Sequence, residues 1–166
     1  MVIFCLLYGI ISYGFAYYGE MLTYVGMSAP MATVAFFSWV RNPYNGNKSE
    51  VAVRRLKISE LVVITVITVA ITALSYFVLK YFGTANLAPS TFSVATSFFA
   101  VCLSAKRSPY FALAYAVNDL VLIFLWILAA IEDISYFSVI ICFVVFLVND
   151  TYSFINWLRM QKKQGA

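Results

Sequence analysis

The chain has 166 residues, of which 63% are hydrophobic and only 11% are charged, and its formal net charge is +4. A soluble domain carries roughly 25% charged residues, so this composition excludes a soluble globular protein and is typical of a polytopic membrane protein. The sequence contains no His, which removes the commonest general base and metal ligand. We therefore expect a single membrane domain over 1–166, with no catalytic residue, metal, cofactor or nucleic-acid partner.

Six apolar segments follow one another, and most of them reach the ~20 residues that are needed to span a bilayer core. Their approximate bounds are 1–19, 21–40, 59–82, 89–104, 110–131 and 135–159. The N-terminal residues lack the basic region of a signal peptide, so we interpret the first segment as part of the mature or truncated protein. The sequence therefore predicts an all-α membrane protein with six transmembrane helices.

The basic residues predict the orientation of these helices. If all six segments cross the bilayer, ten of the 11 Lys and Arg residues fall on one side. They lie in the loops after the second and fourth segments and in the C-terminal tail. The other side holds one Lys and three acidic residues, which are Lys80, Glu20, Glu132 and Asp133. Because positively charged loops stay inside the cell, both termini are predicted to be cytoplasmic.

The second and third segments differ in character. Gly26, Ser28 and Pro30 predict a kink in the second segment. The third segment, 59–82, has neither charge nor carboxamide in its central part and is rich in Val, Ile and Thr. We therefore expect it to be a linker helix that is exposed to lipid on most sides.

Polar residues become frequent in the fourth and fifth segments. Those of the fourth are small, and Ser and Thr at such spacing favour close helix packing. They are Ser90, Ser93, Thr96, Ser97 and Ser104. The fifth segment carries Asn118 and Asp119, and Trp126 shares a helix face with Asp119. An Asp within a membrane segment is costly, so it indicates a functional site.

The end of the sixth segment concentrates the strongest polar signal of the chain. Asn149, Tyr152 and Asn156 are spaced i, i+3, i+7 and share one face of a helix. Asp150 and Trp157 lie on the neighbouring face. Such groups should face the bundle interior or a water-filled cavity, which indicates a solute site. Hydrogen bonding between helices is the alternative interpretation.

A short repeat links the second segment to the sixth. Phe36, Trp39 and Arg41 recur as Phe, Trp and Arg 118 residues later, at the end of the last segment. Because three segments lie between the copies, both run in the same direction, as in a parallel-repeat transporter. This predicts a partial first unit over 1–40, a linker helix over 59–82 and a three-helix unit over 89–159. A Trp followed by Arg is also typical of a membrane-interface anchor.

These motifs resemble the PnuC family of vitamin transporters. The matching stretches are 37–41, 97–107, 115–126 and 149–157. The resemblance implies a seven-helix SWEET-like bundle, arranged 3+1+3, of which the first family helix would be missing here. It also implies a bacterial plasma-membrane protein that takes up nicotinamide riboside by facilitated diffusion, coupled to trapping by cytosolic phosphorylation. One departure is Val101, where members of the family often have Gln.

The resemblance also implies a substrate, a pyridinium cation that carries a carboxamide and a ribose. Carboxamides and a phenol would bind its polar groups, Trp126 would stack on its ring, and a carboxylate would compensate its charge. The candidate substrate-binding residues are Asn118, Trp126, Asn149, Tyr152, Asn156, Asp119, Asp150, Trp39 and Trp157. A homo-oligomer in the lipid bilayer is expected.

Three alternatives stay open at this point. The solute could be another vitamin, riboflavin or thiamine. The chain could be a membrane subunit or sensor that does not transport. Asp119 and Asp150 could form the dyad of an intramembrane aspartyl enzyme, although the motifs typical of such proteases are absent.

Overall fold

The computed structural model describes residues 2–14, 21–84 and 86–165, with the side chains of residues 48 and 49 left out. The described part is almost entirely helical. Its helical elements are α1 (Val2–Gly14), a π-helical turn (Thr23–Ser28), α2 (Ala29–Val40), α3 (Ile58–Tyr81), α4 (Leu87–Ala105), α5 (Tyr110–Glu132), a 3-10 turn (Ile134–Tyr136) and α6 (Phe137–Gln164). A hairpin of β1 (Pro43–Tyr44) and β2 (Asn47–Val51) follows α2.

The prediction of an all-α membrane protein is confirmed. Among the described residues, α3, α4, α5 and α6 are long and apolar enough to cross a bilayer, and α1 is apolar but shorter. The predicted end of the first segment, at residues 15–19, lies outside the described residues, as does Glu20. The last helix continues to Gln164, beyond the predicted end at 159, and stops where Gly165 adopts a left-handed φ of 67°.

The kink predicted in the second segment coincides with the π-helical turn Thr23–Ser28, which continues directly into α2. A π turn holds one residue more than an α turn, so it locally widens the helix. The hairpin between α2 and α3 was not predicted. Asn45 and Gly46, both with positive φ, form its two-residue turn, and Asn-Gly is a strong hairpin signal.

Helix α5 is the centre of the bundle. It packs most extensively against α4 and α6, while α4 also contacts α2 and α3. Helix α1 packs on the π-helical turn and on α2. Most of α3 is exposed, with Ile64, Thr68 and Leu79 as its buried residues. An exposed apolar surface of this kind is what a lipid-facing helix presents, because lipid rather than water surrounds it.

Two apolar cores divide the bundle along its length. The basic-end core lies at the end of the bundle that carries the Lys- and Arg-rich loops. It includes Phe111 of α5, Trp157 of α6 and Ala100 of α4. The aromatic core includes Tyr8 of α1, Tyr24 of the π-helical turn and Trp126 of α5. On both α5 and α6 the two cores are separated by the stretch that carries the predicted polar site residues.

The hairpin ties the basic end of the bundle together. Gln164, at the end of α6, donates to Glu50 and to the Val51 carbonyl, and accepts from the Val53 amide at 2.8 Å. The amide of Arg54 donates to the Arg107 carbonyl in the loop between α4 and α5. Consequently the loop after α2 joins the ends of α4 and α6.

Candidate functional site

The candidate site is a polar layer, which we define as Thr96 on α4, Asn118 and Asp119 on α5, and Asn149 and Asp150 on α6. Asn118 and Asp119 stand near the middle of α5, and Asn149 and Asp150 near the middle of α6. The layer therefore lies near the middle of these helices, between the basic-end core and the aromatic core. Repeat-built transporters usually bind their solutes near the middle of the membrane.

Asn118 is buried, with 4% of its surface exposed, and is already engaged in the bundle. Its Oδ1 accepts a hydrogen bond of 2.8 Å from the Thr96 hydroxyl. Thr96 also donates to the carbonyls of its own helix. The carboxamide oxygen of Asn118 thus links α5 to α4, which is the helix-packing role, and its amide N–H groups stay as donors.

Asp119 is the most unusual member of the polar layer. It is 5% exposed, and its Oδ2 finds no hydrogen-bond partner among the residues that the structure describes. The carboxyl group of Asp150 is near enough to interact with it electrostatically, so the layer brings two acidic side chains together. The sequence places no Lys or Arg between Arg107 and Arg159. A buried carboxylate without a cationic partner is costly, and a bound cation would offset that cost.

The α6 residues of the predicted site differ from Asn118 in exposure. Asn149 is exposed, and its side chain makes a long contact of 3.4 Å with neighbouring Asp150. Tyr152 is 63% exposed and Asn156 is half-buried. Among the described residues, no hydrogen bond joins these three side chains to another helix. Their polar groups are therefore available to a ligand.

Trp126 is fully buried in the aromatic core. Its indole Nε1 donates a hydrogen bond of 2.8 Å to the Tyr8 hydroxyl, and the ring of Tyr136 is tilted against it at 5.3 Å. The rings of Tyr24, Phe143 and Phe4 also pack against Tyr8. The indole therefore lies beside the polar layer, towards α1, and is packed inside the protein instead of anchoring it at the membrane interface.

Trp39 and Trp157 meet in the basic-end core. Their ring centroids are 5.0 Å apart, and both contact the ring of Phe111. The Trp39 indole also donates to the Ser104 carbonyl at 2.8 Å, while Ser38 donates to the carbonyl of Ala105. The two ends of the sequence repeat thus lie at the same end of the bundle. They close that end rather than line the polar layer.

The structure therefore brings some predicted residues together and separates others. Asn118, Asp119, Asn149 and Asp150 share one level, with Tyr152 and Asn156 one and two turns further along α6. The three Trp residues lie in the cores on either side of that level. Sequence reasoning missed Tyr8 as the partner of Trp126, because Tyr8 lies in an apolar segment with no motif that relates it to Trp126. Thr96 was assigned to packing, and it does bind Asn118.

An open groove of about 810 Å³ is lined mainly by α4 and α5, with Leu61 of α3 and Gln161 of α6 also in its lining. None of the nine predicted substrate-binding residues lines it, and its only member of the polar layer is Thr96. The groove therefore adjoins the polar layer at Thr96 but is not lined by the other residues of that layer.

Comparison with known proteins gives three matches to transporters. The family described as nicotinamide mononucleotide transporter matches residues 1–159. The chain is 25% identical over 164 residues to the nicotinamide riboside transporter PnuC of Neisseria mucosa, covering 96% of this chain and 62% of that protein. It therefore spans less than two thirds of that relative. A crystal structure of the vitamin B3 transporter PnuC matches with a TM-score of 0.79 and 24% identity, covering 98% of this chain and 71% of the other. This last match shows a shared fold.

Proposed function

The chain belongs to the nicotinamide mononucleotide transporter family, and on that premise we propose that it carries nicotinamide riboside across a bacterial plasma membrane. The observation that carries the proposal is the family match over residues 1–159. The similar protein from Neisseria mucosa is named as a nicotinamide riboside transporter, which supports the same solute. Transport would run down the gradient, maintained by trapping of the vitamin through phosphorylation in the cytosol.

The chemistry of the polar layer fits a flat cation. Nicotinamide riboside carries a positive pyridinium ring, and Asp119 and Asp150 are neighbouring acidic side chains that would compensate it when ionised. Because charges interact strongly where water is excluded, the ionised pair would favour a cationic solute over a neutral one of the same size. This argument also gives the layer a preference over riboflavin, which is neutral, but not over thiamine, which is a cation.

The carboxamide side chains would form hydrogen bonds with the polar groups of the solute. Asn149, Tyr152 and Asn156 offer donors and acceptors that no other helix occupies among the described residues, and Asn118 keeps its amide N–H donors. For Trp126 to stack on the solute, the aromatic core would have to open, because its ring is fully buried and its N–H is bound to Tyr8. Trp39 and Trp157 would then close the basic end of the bundle, beside the route that the solute takes across it.

Family membership also bears on the enzyme alternative. The family is one of transporters, so the chain is not assigned to an enzyme class. We attribute the proximity of Asp119 and Asp150 to recognition of solute charge rather than to a proteolytic dyad. Cytoplasmic termini and a homo-oligomeric assembly remain proposals, supported by the distribution of Lys and Arg and by the exposed apolar surface.

The test is uptake by the purified chain in liposomes, together with a binding titration against nicotinamide riboside, riboflavin and thiamine. We expect saturable binding and uptake of nicotinamide riboside, and much weaker binding of riboflavin. Asp119→Asn removes the charge at constant size, and should weaken the binding of both cations more than that of riboflavin. A chain that binds none of the three, or that binds riboflavin best, contradicts the proposal.

A further inference from the structure

The groove that is lined mainly by α4 and α5 is apolar at one end and polar at the other. Leu113, Ala114 and Val117 line it from α5, on a different face from Asp119 and Trp126. Phe99 and Leu103 line it from α4. Its volume of about 810 Å³ lies within the range of ~300–1,000 Å³ that is typical of small-molecule sites. Its walls at membrane depth are therefore suited to a hydrocarbon chain.

At the basic end the same groove becomes polar. Its lining there consists of Arg55, Ser108 and Gln161, together with Pro109 and Tyr110 at the start of α5. The N-terminus of a helix carries partial positive charge and unpaired amide N–H groups, which favour an anion. One end of the groove is thus apolar and the other is built to attract negative charge.

The positive charge around this end is not balanced by the protein. Arg54 and Lys106 share the carboxylate of Glu60, at 2.9 and 3.5 Å, and are thereby neutralised in part. Arg55 forms no ion pair with any residue that the structure describes. In the adjoining loop, the Nε of Arg107 is buried and has no hydrogen-bond partner among the described residues. Burial, together with the guanidinium of Arg54, lowers the pKa of Arg107.

We propose that this groove binds one anionic phospholipid, with its phosphate at Arg55 and the start of α5 and an acyl chain along Phe99, Leu103 and Leu113. Basic pockets between membrane helices are where such head groups bind. A second copy of the chain is a poorer occupant. Copies in one membrane share an orientation, so the partner's own cations would arrive at the same depth and repel. Lipid binding here is independent of which solute the chain carries.

The experiment uses the full chain, purified in detergent, and measures lipid adducts by native mass spectrometry during titration with phosphatidylglycerol or phosphatidylcholine. We expect phosphatidylglycerol to bind more tightly. Arg55→Gln should weaken its binding about five-fold, the effect of one cation at a membrane surface, whereas Arg55→Lys should keep most of it. The matched control is Arg41→Gln, a cation that lines a different pocket at the end of α2.

A second variant tests the apolar part. Val117→Trp fills the groove and should abolish preferential binding, whereas Val66→Trp, at an exposed position on α3, should not. Unfolding temperatures of the lipid-free variants establish that each is folded. Equal binding of both lipids, or equal weakening by Arg41→Gln and Arg55→Gln, would overturn the proposal. So would equal affinity for glycerophosphoglycerol, which has no acyl chains, or an oligomer that Val117→Trp dissociates.

Discussion

The predicted site residues of α5 and of α6 include Asn side chains in opposite states. On α5, Asn118 is buried and bonded to Thr96, as helix packing requires. On α6, Asn149, Tyr152 and Asn156 have their polar groups free of other helices among the described residues. The same side chain thus packs helices on one side and is available to a solute on the other. Residue type alone does not separate the two roles, whereas the hydrogen-bond partner does.

The largest difference should appear in stability. Trp126 is fully buried and hydrogen-bonded to Tyr8, so Trp126→Ala should lower the free energy of unfolding by about 3–5 kcal/mol. Tyr152, at 63% exposure, is the matched aromatic on α6, and Tyr152→Ala should change it by about 0.5 kcal/mol or less. Unfolding in detergent, followed by circular dichroism, measures both. Equal losses would mean that α6 is as well packed as α5.

The next largest effect should appear in solute affinity. Removing one hydrogen-bonding partner of a bound solute costs about 1–3 kcal/mol, so Asn149→Ala and Asn156→Ala should each weaken the binding of nicotinamide riboside roughly 5- to 150-fold. Their unfolding temperatures should stay close to that of the unchanged chain. Titration calorimetry and thermal unfolding on the same samples separate the two quantities. Unchanged affinity in both variants would remove these residues from the site.

The smallest effect concerns the bond between α4 and α5. Asn118→Ala and Thr96→Val should each destabilise the bundle, and the double variant should lose less than the sum, by about 0.6 kcal/mol. This coupling is the measured size of a typical hydrogen bond between membrane helices. A double-mutant cycle of unfolding free energies gives the value. Full additivity would show that the 2.8 Å contact contributes nothing to packing.

Much of the fold could be predicted because a bilayer leaves few choices. Apolar segments of sufficient length must become helices, since lipid cannot satisfy free backbone groups, and the segment bounds followed from hydropathy. The meeting of Trp39 and Trp157 agrees with the prediction that both repeat copies end on one side of the membrane. The partial first unit and the three-helix second unit remain predictions.

The state of each site residue could not be predicted in the same way. Asn118 and Asn149 are equivalent in sequence terms, each followed by Asp in the middle of an apolar segment. Whether each Asn forms a hydrogen bond to another helix depends on whether that helix places a Thr opposite it. The residues next to the Asn in sequence do not determine how the two helices are aligned. The Trp126–Tyr8 bond likewise depends on how α1 packs. The hairpin, in contrast, was signalled by Asn45-Gly46.

The π-helical turn Thr23–Ser28 bears on how the length of its helix can change. A π turn is an α-helix that has absorbed one inserted residue, so deleting one residue within it restores regular α geometry and keeps both flanks in register. A deletion elsewhere in the same helix would rotate everything beyond it by about 100° and turn Trp39 away from Trp157. Related sequences should therefore place their one-residue gaps within this turn and nowhere else along the helix.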